Sequence, residues 1–153
     1  MINPHLKWSA PHSLRLSADK QSYEVDLAQI PTKPGVYVFY RNHGSTFKAL
    51  YVGKADNLRS RIKQQLNNHK LMVGIQNAPN GARLLCFGEL QLKPGQDSAK
   101  AQLAAEKLMI RHFIEEGHVL FNQQGVQRRV QTLSNVRPPA LNMLIPLSTQ
   151  IEA

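Results

Sequence analysis

The feature that most limits what this chain can become is a pair of β-branched and aromatic runs bracketed by turn residues. Val36-Tyr37-Val38-Phe39-Tyr40 follows Pro31-Thr32-Lys33-Pro34-Gly35, and Lys48-Ala49-Leu50-Tyr51-Val52-Gly53 follows a stretch centred on His43-Gly44-Ser45. Runs of this kind fit a pleated sheet. The connection is short, so the two strands are expected to pair antiparallel, with Arg41–Phe47 as the hairpin loop.

Downstream the pattern changes to a helical period. Asp56 or Asn57 can cap a helix running to about Asn68, in which Leu58, Ile62 and Leu66 recur every fourth residue as one buried stripe. On a helical wheel Arg61 falls on one flank of that stripe, and Arg59 and Lys63 fall together on the other. Leu71–Gln76 reads as a short helix or loop. Pro79-Asn80-Gly81 is a turn, and Ala82–Leu90 is a third strand ended by Pro94-Gly95. A longer helix is expected from Asp97 or Ser98 to about Glu116, with Gly117 suited to its C-terminal cap. Ala99, Leu103, Ile110, Phe113 and Ile114 lie on one arc of its wheel, and Glu106 sits inside that arc. An isolated carboxylate aimed at a core is costly, so it must be neutral, paired with a cation or bound to a metal.

The ends are less patterned. Residues 1–21 read as an arm or an extra edge element, and Ser22–Asp26 as a short strand. Beyond Asn122, Arg128-Arg129 can begin a helix, Pro138-Pro139 interrupts the chain, and Leu141–Leu147 is an apolar patch.

Composition narrows the function classes. The chain has 153 residues and a single cysteine, Cys86, which excludes a disulfide scaffold or a zinc finger. It lacks a membrane-spanning run or a signal-peptide pattern, so a soluble cytoplasmic protein with no membrane partner is expected. Nineteen Lys and Arg stand against ten Asp and Glu, and the net charge of +9 points to a polyanion. The excess is local. Residues 48–70 hold six cations (Lys48, Lys54, Arg59, Arg61, Lys63, Lys70) against Asp56, a sum of +5, whereas residues 1–30 sum to zero. Residues 117–151 add Arg128, Arg129 and Arg137 and no acid.

Two tyrosine-bearing strands, a basic helix and a helix with an inward carboxylate, in that order, resemble the GIY-YIG endonuclease superfamily. Gly35-Val36-Tyr37 is similar to its first motif and Tyr51-Val52-Gly53 to its second. The continuation Lys54-Ala55-Asp56-Asn57-Leu58-Arg59-Ser60-Arg61 resembles the N-terminal nuclease domain of the bacterial excision-repair incision subunit. Both motifs carry Val where the family name has Ile. Thirteen residues (38–50) separate the tyrosines, more than is common in the family, which implies a slightly longer hairpin loop. The resemblance covers residues 31–122, with an N-terminal extension (1–30) and a C-terminal extension (123–153). It implies an α/β (α+β) domain with a small three-stranded antiparallel sheet flanked by helices.

The resemblance further implies that Tyr37, Tyr51, Arg61 and Glu106 are catalytic, with Glu106 holding one Mg2+ or Mn2+ ion. Gly53 takes the motif glycine position, Lys54 the lysine after it, and Asn122 the asparagine beyond the last helix. Arg59, Lys63 and His69 are the further candidates for contacts to substrate phosphates. A fixed guanidinium suits the charge that builds up on a phosphate, and a single carboxylate with waters suits a hard divalent ion. A tyrosine whose pKa is lowered by neighbouring cations or the metal is expected to take the water proton, with Tyr37 and Tyr51 both eligible. The expected activity is metal-dependent hydrolysis of DNA, structure-selective or weakly sequence-specific, with DNA and a targeting protein as partners. The alternatives are a non-catalytic nucleic-acid-binding module and an RNA-directed or toxin-type nuclease. Glu106 in a structural ion pair, Cys86 as a small core residue, and Gly35 and Gly53 as turn glycines are the plain readings beside these.

Overall fold

The computed structural model describes residues 3–121 and 131–151. Short strands β1 (His5–Trp8), β2 (His12–Ser13), β3 (Arg15–Leu16) and β4 (Tyr23–Glu24) precede the long hairpin of β5 (Gly35–His43) and β6 (Thr46–Ala55). Helices α1 (Leu58–Leu66) and α2 (His69–Asn77) lead to β7 (Ala82–Leu90) and α3 (Ser98–Glu115), and β8 (Gln131–Val136) and β9 (Ser148–Ile151) follow.

The three expected strands pair antiparallel in the order β6-β5-β7. The sheet does not stop there. Among the described residues it has seven strands, because β1 and β2 both pair with β7, β8 lies parallel to β1, and β9 closes the series. The N-terminal residues thus cover an edge of β7 that would otherwise expose unpaired backbone groups. Trp8 fixes this addition: its ring is buried and its indole N–H donates to Asn135 Oδ1 at 2.6 Å.

The expected long hairpin loop is replaced by longer strands. β5 and β6 run to His43 and Thr46, leaving Gly44-Ser45 as the turn, with Gly44 at φ 62°. Left-handed backbone at that point suits glycine. The remaining extra length is absorbed by a bulge: Phe39 pairs with Tyr51 and Tyr40 with Ala49, so Leu50 is the additional residue.

Alternation along the strands divides the core in two. Val36, Val38, Tyr40, Val52 and Cys86 face α3 and the 141–145 segment, whereas Tyr37, Phe39, Leu85 and Phe87 face α1 and α2. Leu58 and Ile62 on α1 are fully buried, each contributing about 1.5–3 kcal/mol relative to exposure. Leu66 is only half-buried; the third buried residue of α1 is Gln65.

Caps follow the local sequence. Asn57, Asn68 and Asp97 accept from backbone N–H groups at the starts of α1, α2 and α3, and Gly117 lies at φ 84° after α3. The expected core arc of α3 is corrected. Ala99 is exposed, and Leu103 and Ile114 are 39% and 37% exposed, while Ala101, Ala105, Leu108, Met109, Ile110 and Phe113 form the core face. The alanines let the helix lie close to the sheet and rotate it away from the face that the larger side chains suggested. Among the described residues no helix is long and apolar enough to cross a membrane. Arg128-Arg129, expected to begin a helix, lie outside the described residues.

Candidate active site

β6 is an outer strand of the sheet, and the candidate site is built at its outer edge. Tyr37 and Tyr51 project from the face covered by α1. Their rings stack at 6.2 Å between centroids with 21° between planes. They share that face because Tyr51 pairs directly with Phe39, two residues along the strand from Tyr37, in the regular stretch of the hairpin before the bulge. Glu106 comes from α3, on the opposite face, and reaches the edge of β6, where Lys54 lies close enough to oppose the rise in its pKa.

Tyr37, Tyr51, Gly53, Lys54, Arg61 and Glu106 line one cleft of about 470 Å³, together with Asp56 and Gln102. The two strands, the first helix and the last helix therefore bring the four expected catalytic residues to one concavity. Gly53 explains how the cleft is packed. A Cβ there would stand 2.3 Å from Tyr37 Cζ and OH, so only glycine leaves room for the phenol ring over the strand. Gly35 is likewise internal, since a Cβ would meet the Gly88 carbonyl oxygen at 2.1 Å. Neither is the turn glycine of the plain reading; both lie within strands and make space for protein atoms.

Gln65 organises the tyrosines, a role the sequence reading missed. Its side-chain N–H group donates to Tyr37 OH at 2.7 Å and to Tyr51 OH at 3.2 Å. Asn68 Nδ2 in turn donates to Gln65 Oε1 at 3.2 Å while Asn68 Oδ1 caps α2. The signal was present: Gln65 falls seven residues after Leu58, on the same buried stripe, where an amide needs partners. Gln102, also buried, donates to Asp56 Oδ1 at 2.7 Å and to Ser98 Oγ at 3.0 Å, orienting a second carboxylate on the cleft wall.

The electrostatics correct one expectation. Tyr37 is 0% exposed, and its pKa is raised to about 12, mainly by burial. The Gln65 hydrogen bond and Arg61 pull it down, and neighbouring Tyr51 pushes it up. A phenol lowered by cations is therefore not what Tyr37 is; it is held neutral. Glu106 is 6% exposed, and burial raises its pKa above the ordinary carboxylate value, opposed by the Lys54 ammonium and N–H, then Lys107 and Arg61. Among the described residues the one salt bridge joins Arg111 to Glu115, so Glu106 is not tied up in the structural ion pair of the plain reading.

The remaining substrate candidates divide. Arg59 is turned away: its Nε donates to the Ile30 carbonyl at 2.8 Å and its Nη2 to the Ala28 carbonyl at 3.3 Å, so it pins the N-terminal segment to α1. It stands on the flank opposite Arg61 and does not line the cleft. Lys63 and His69 are exposed on α1 and at the start of α2 and do not line the cleft. Asn122 lies outside the described residues. Arg137 in the C-terminal region donates to the Ile145 and Asn142 carbonyls and closes its own loop.

The donor set fits a hard divalent cation. Glu106 offers carboxylate oxygen in a largely desolvated position, and the cleft supplies oxygen donors rather than sulfur or imidazole. Among the described residues no group of three or more His, Cys, Asp or Glu could hold a metal by itself, so most ligands to such an ion would be water and substrate.

Residues 33–79 match the model of the UvrC-like GIY-YIG domain. This stretch of the chain is similar to the UvrC-like GIY-YIG domain. It contains both tyrosines, Gly53, Lys54 and Arg61; Glu106 lies beyond it and joins the cleft through the packing of α3. The mixed α/β architecture accords with that fold, extended by the added strands. The UvrABC system protein C of Paenarthrobacter aurescens (strain TC1) is 49% identical over 51 residues, which are 33% of this chain and 7% of that protein. The protein of the same name from Arthrobacter sp. (strain FB24) is 47% identical over 51 residues, with the same coverage. That of Kocuria rhizophila is 51% identical over 45 residues, 29% of this chain and 6% of the relative. The match thus spans only about 7% of the first two relatives. No solved structure matches the chain significantly.

Proposed function

We propose that this protein is a divalent-metal-dependent endonuclease that hydrolyses DNA phosphodiester bonds, with structure-selective or weakly sequence-specific cleavage directed by a protein partner. The observation that carries the reading is the convergence of Tyr37, Tyr51, Arg61 and Glu106 on one cleft from both faces of the sheet. In the proposal Arg61 contacts non-bridging phosphate oxygens through its fixed pair of N–H groups and offsets the charge that grows in the transition state. Lys54, at the mouth of the cleft, adds a point charge to the same backbone. Tyr51, half-exposed and hydrogen-bonded to Gln65, first releases its hydroxyl proton to solvent and then, as the phenolate, takes the proton of the attacking water. Tyr37, neutral and buried, fixes Gln65 and hence the position of the Tyr51 hydroxyl. Glu106 would hold the cation, which when bound polarises the phosphate and stabilises the departing oxygen.

The test is incubation of the wild type, Glu106→Gln and Arg61→Ala with plasmid, flap, nicked and single-stranded DNA in magnesium or manganese. Cleavage by the wild type alone, abolished by chelator, is the expected outcome. Equal activity of all three proteins, or cleavage in excess chelator, defeats the proposal. Retained binding without turnover in the wild type would favour the binding-module alternative.

A further inference from the structure

The candidate cleft does not end at Tyr51. The other side of that residue lines an adjoining depression of about 400 Å³ with Asn68, Lys70, Leu71, Gly74 and Phe121. Gly74 and Phe121 also line a third, of about 510 Å³, which includes Arg41 and Lys48. A continuous path therefore leaves the cleft over Tyr51, passes Phe121 and ends beside β6 near Lys48. Lys70, Lys48 and Arg41 stand along it, and no Asp or Glu among the described residues lines either depression.

Phe121 is unlike the apolar side chains of the core. It is 46% exposed, and its backbone is anchored: its N–H donates to the Leu50 carbonyl at 2.7 Å, on the outer edge of β6. One side of its ring rests on Gly74, where an added Cβ would approach Phe121 Cε2 to 3.1 Å. The rest of the ring is open along the path.

We infer that this path is a track for an unpaired segment of the DNA substrate, with Phe121 as the surface on which a base stacks. The inference rests on the nuclease reading of the adjoining cleft. Cations without carboxylates complement a phosphate backbone, and the path is continuous with the place where the scissile phosphate is proposed to lie. A duplex keeps its base faces covered by neighbouring pairs, whereas a single strand offers them to an aromatic side chain. An exposed ring between basic residues is the arrangement that distinguishes strand from duplex.

Binding of a short fluorescein-labelled oligo(dT) in chelator, followed by anisotropy, tests this apart from turnover. The wild type is expected to prefer oligo(dT) to a duplex of equal length. Phe121→Ala and Phe121→Leu should each weaken oligo(dT) binding about tenfold, leaving duplex affinity and the salt slope unchanged. Lys70→Ala should instead lower the salt slope by about 0.7. Phe121→Trp should keep the affinity and show emission quenched by oligo(dT), above the signal of buried Trp8. Thermal melts guard against misfolding, and the leucine variant keeps the apolar contact with Gly74 while removing the π-face. Wild-type binding by Phe121→Leu, equal loss for duplex and single strand, or tighter binding of oligo(rU) than oligo(dT) overturns the inference. If the wild type cleaves DNA while Phe121→Ala binds oligo(dT) normally, the track alone fails. Absence of cleavage by the wild type removes the nuclease reading instead.

Discussion

Arg61 and Arg83 hold the same side chain in two regions that use it in opposite ways. Arg83, on β7, donates to the carbonyls of Ile75, Gln76, Ala78, Pro79 and Gly81. It collects carbonyls at and just beyond the C-terminal end of α2, where positive charge is favoured. Arg61, on the cleft flank of α1, has one side-chain partner, Gln64 Oε1 at 3.3 Å, besides its interaction with Tyr37. One guanidinium is saturated by protein and the other is left available. Counting charges in the sequence cannot separate them, because the distinction lies in which carbonyls the fold brings within reach.

The contrast can be broken experimentally. Arg61→Ala is expected to reduce DNA cleavage by a factor of about 100–1,000 with little change in melting temperature, since an exposed charge contributing to the transition state is removed. Arg83→Ala should do the reverse, lowering stability by about 3 kcal/mol in denaturant melts because several carbonyls lose their donor at once. Its cleavage rate below the melting transition should stay within about threefold of wild type. If Arg83→Ala instead abolishes cleavage in a folded protein, the division between structural and available cations is wrong.

Within the cleft region itself, Gly53→Ala should cost about 2–3 kcal/mol, since the new methyl group would occupy the space of the Tyr37 ring. A normal melting temperature in that variant would mean that the ring has room to move.

The smallest effect concerns the other end of β6. His118 Nδ1 accepts from the Ala49 N–H at 2.9 Å, and its pKa is lowered to about 4, chiefly by burial and then by Lys48 and His112. Because the folded value lies below the unfolded one, the unfolded chain binds the extra proton as pH falls from about 6.5 to about 4. Stability is therefore complete above that window and lost within it, by on the order of 1–2 kcal/mol after allowance for partial exposure. Melting curves of the wild type and His118→Gln across that range should converge as the pH is lowered, and parallel curves would contradict the assignment.

The local structure was largely legible in the residues. Ala82–Leu90 forms the third strand with the bounds its flanking turn residues implied, and Asp97 and Gly117 delimit α3 as capping chemistry suggests. The split between Arg61 and Arg59 on a helical wheel also emerges in the structure, because α1 has one simple stripe. The wheel of α3 misled. Its buried residues extend around Ala101, Ala104 and Ala105, whose small size carries little weight in a hydrophobic pattern yet allows close packing. The hairpin loop was overestimated because His43, Gly44 and Ser45 mark a turn without fixing its length; cross-strand pairing decides how far the strands continue.

By itself, the sequence determined the tyrosine-bearing strands, the basic helix and the capped last helix, since these depend on short-range pattern and residue type, while the resemblance to a known family singled out Tyr37, Tyr51, Arg61 and Glu106. The tertiary structure decided which of them meet. Glu106 reaches the tyrosines only because β6 is an outer strand around whose edge α3 can extend a carboxylate. Arg59 is removed from the cleft by carbonyls 29 and 31 residues away, and Gln102 orients Asp56 across 46 residues. Hydrogen-bond partners at such separations are set by the packing of the whole domain, and no local period encodes them.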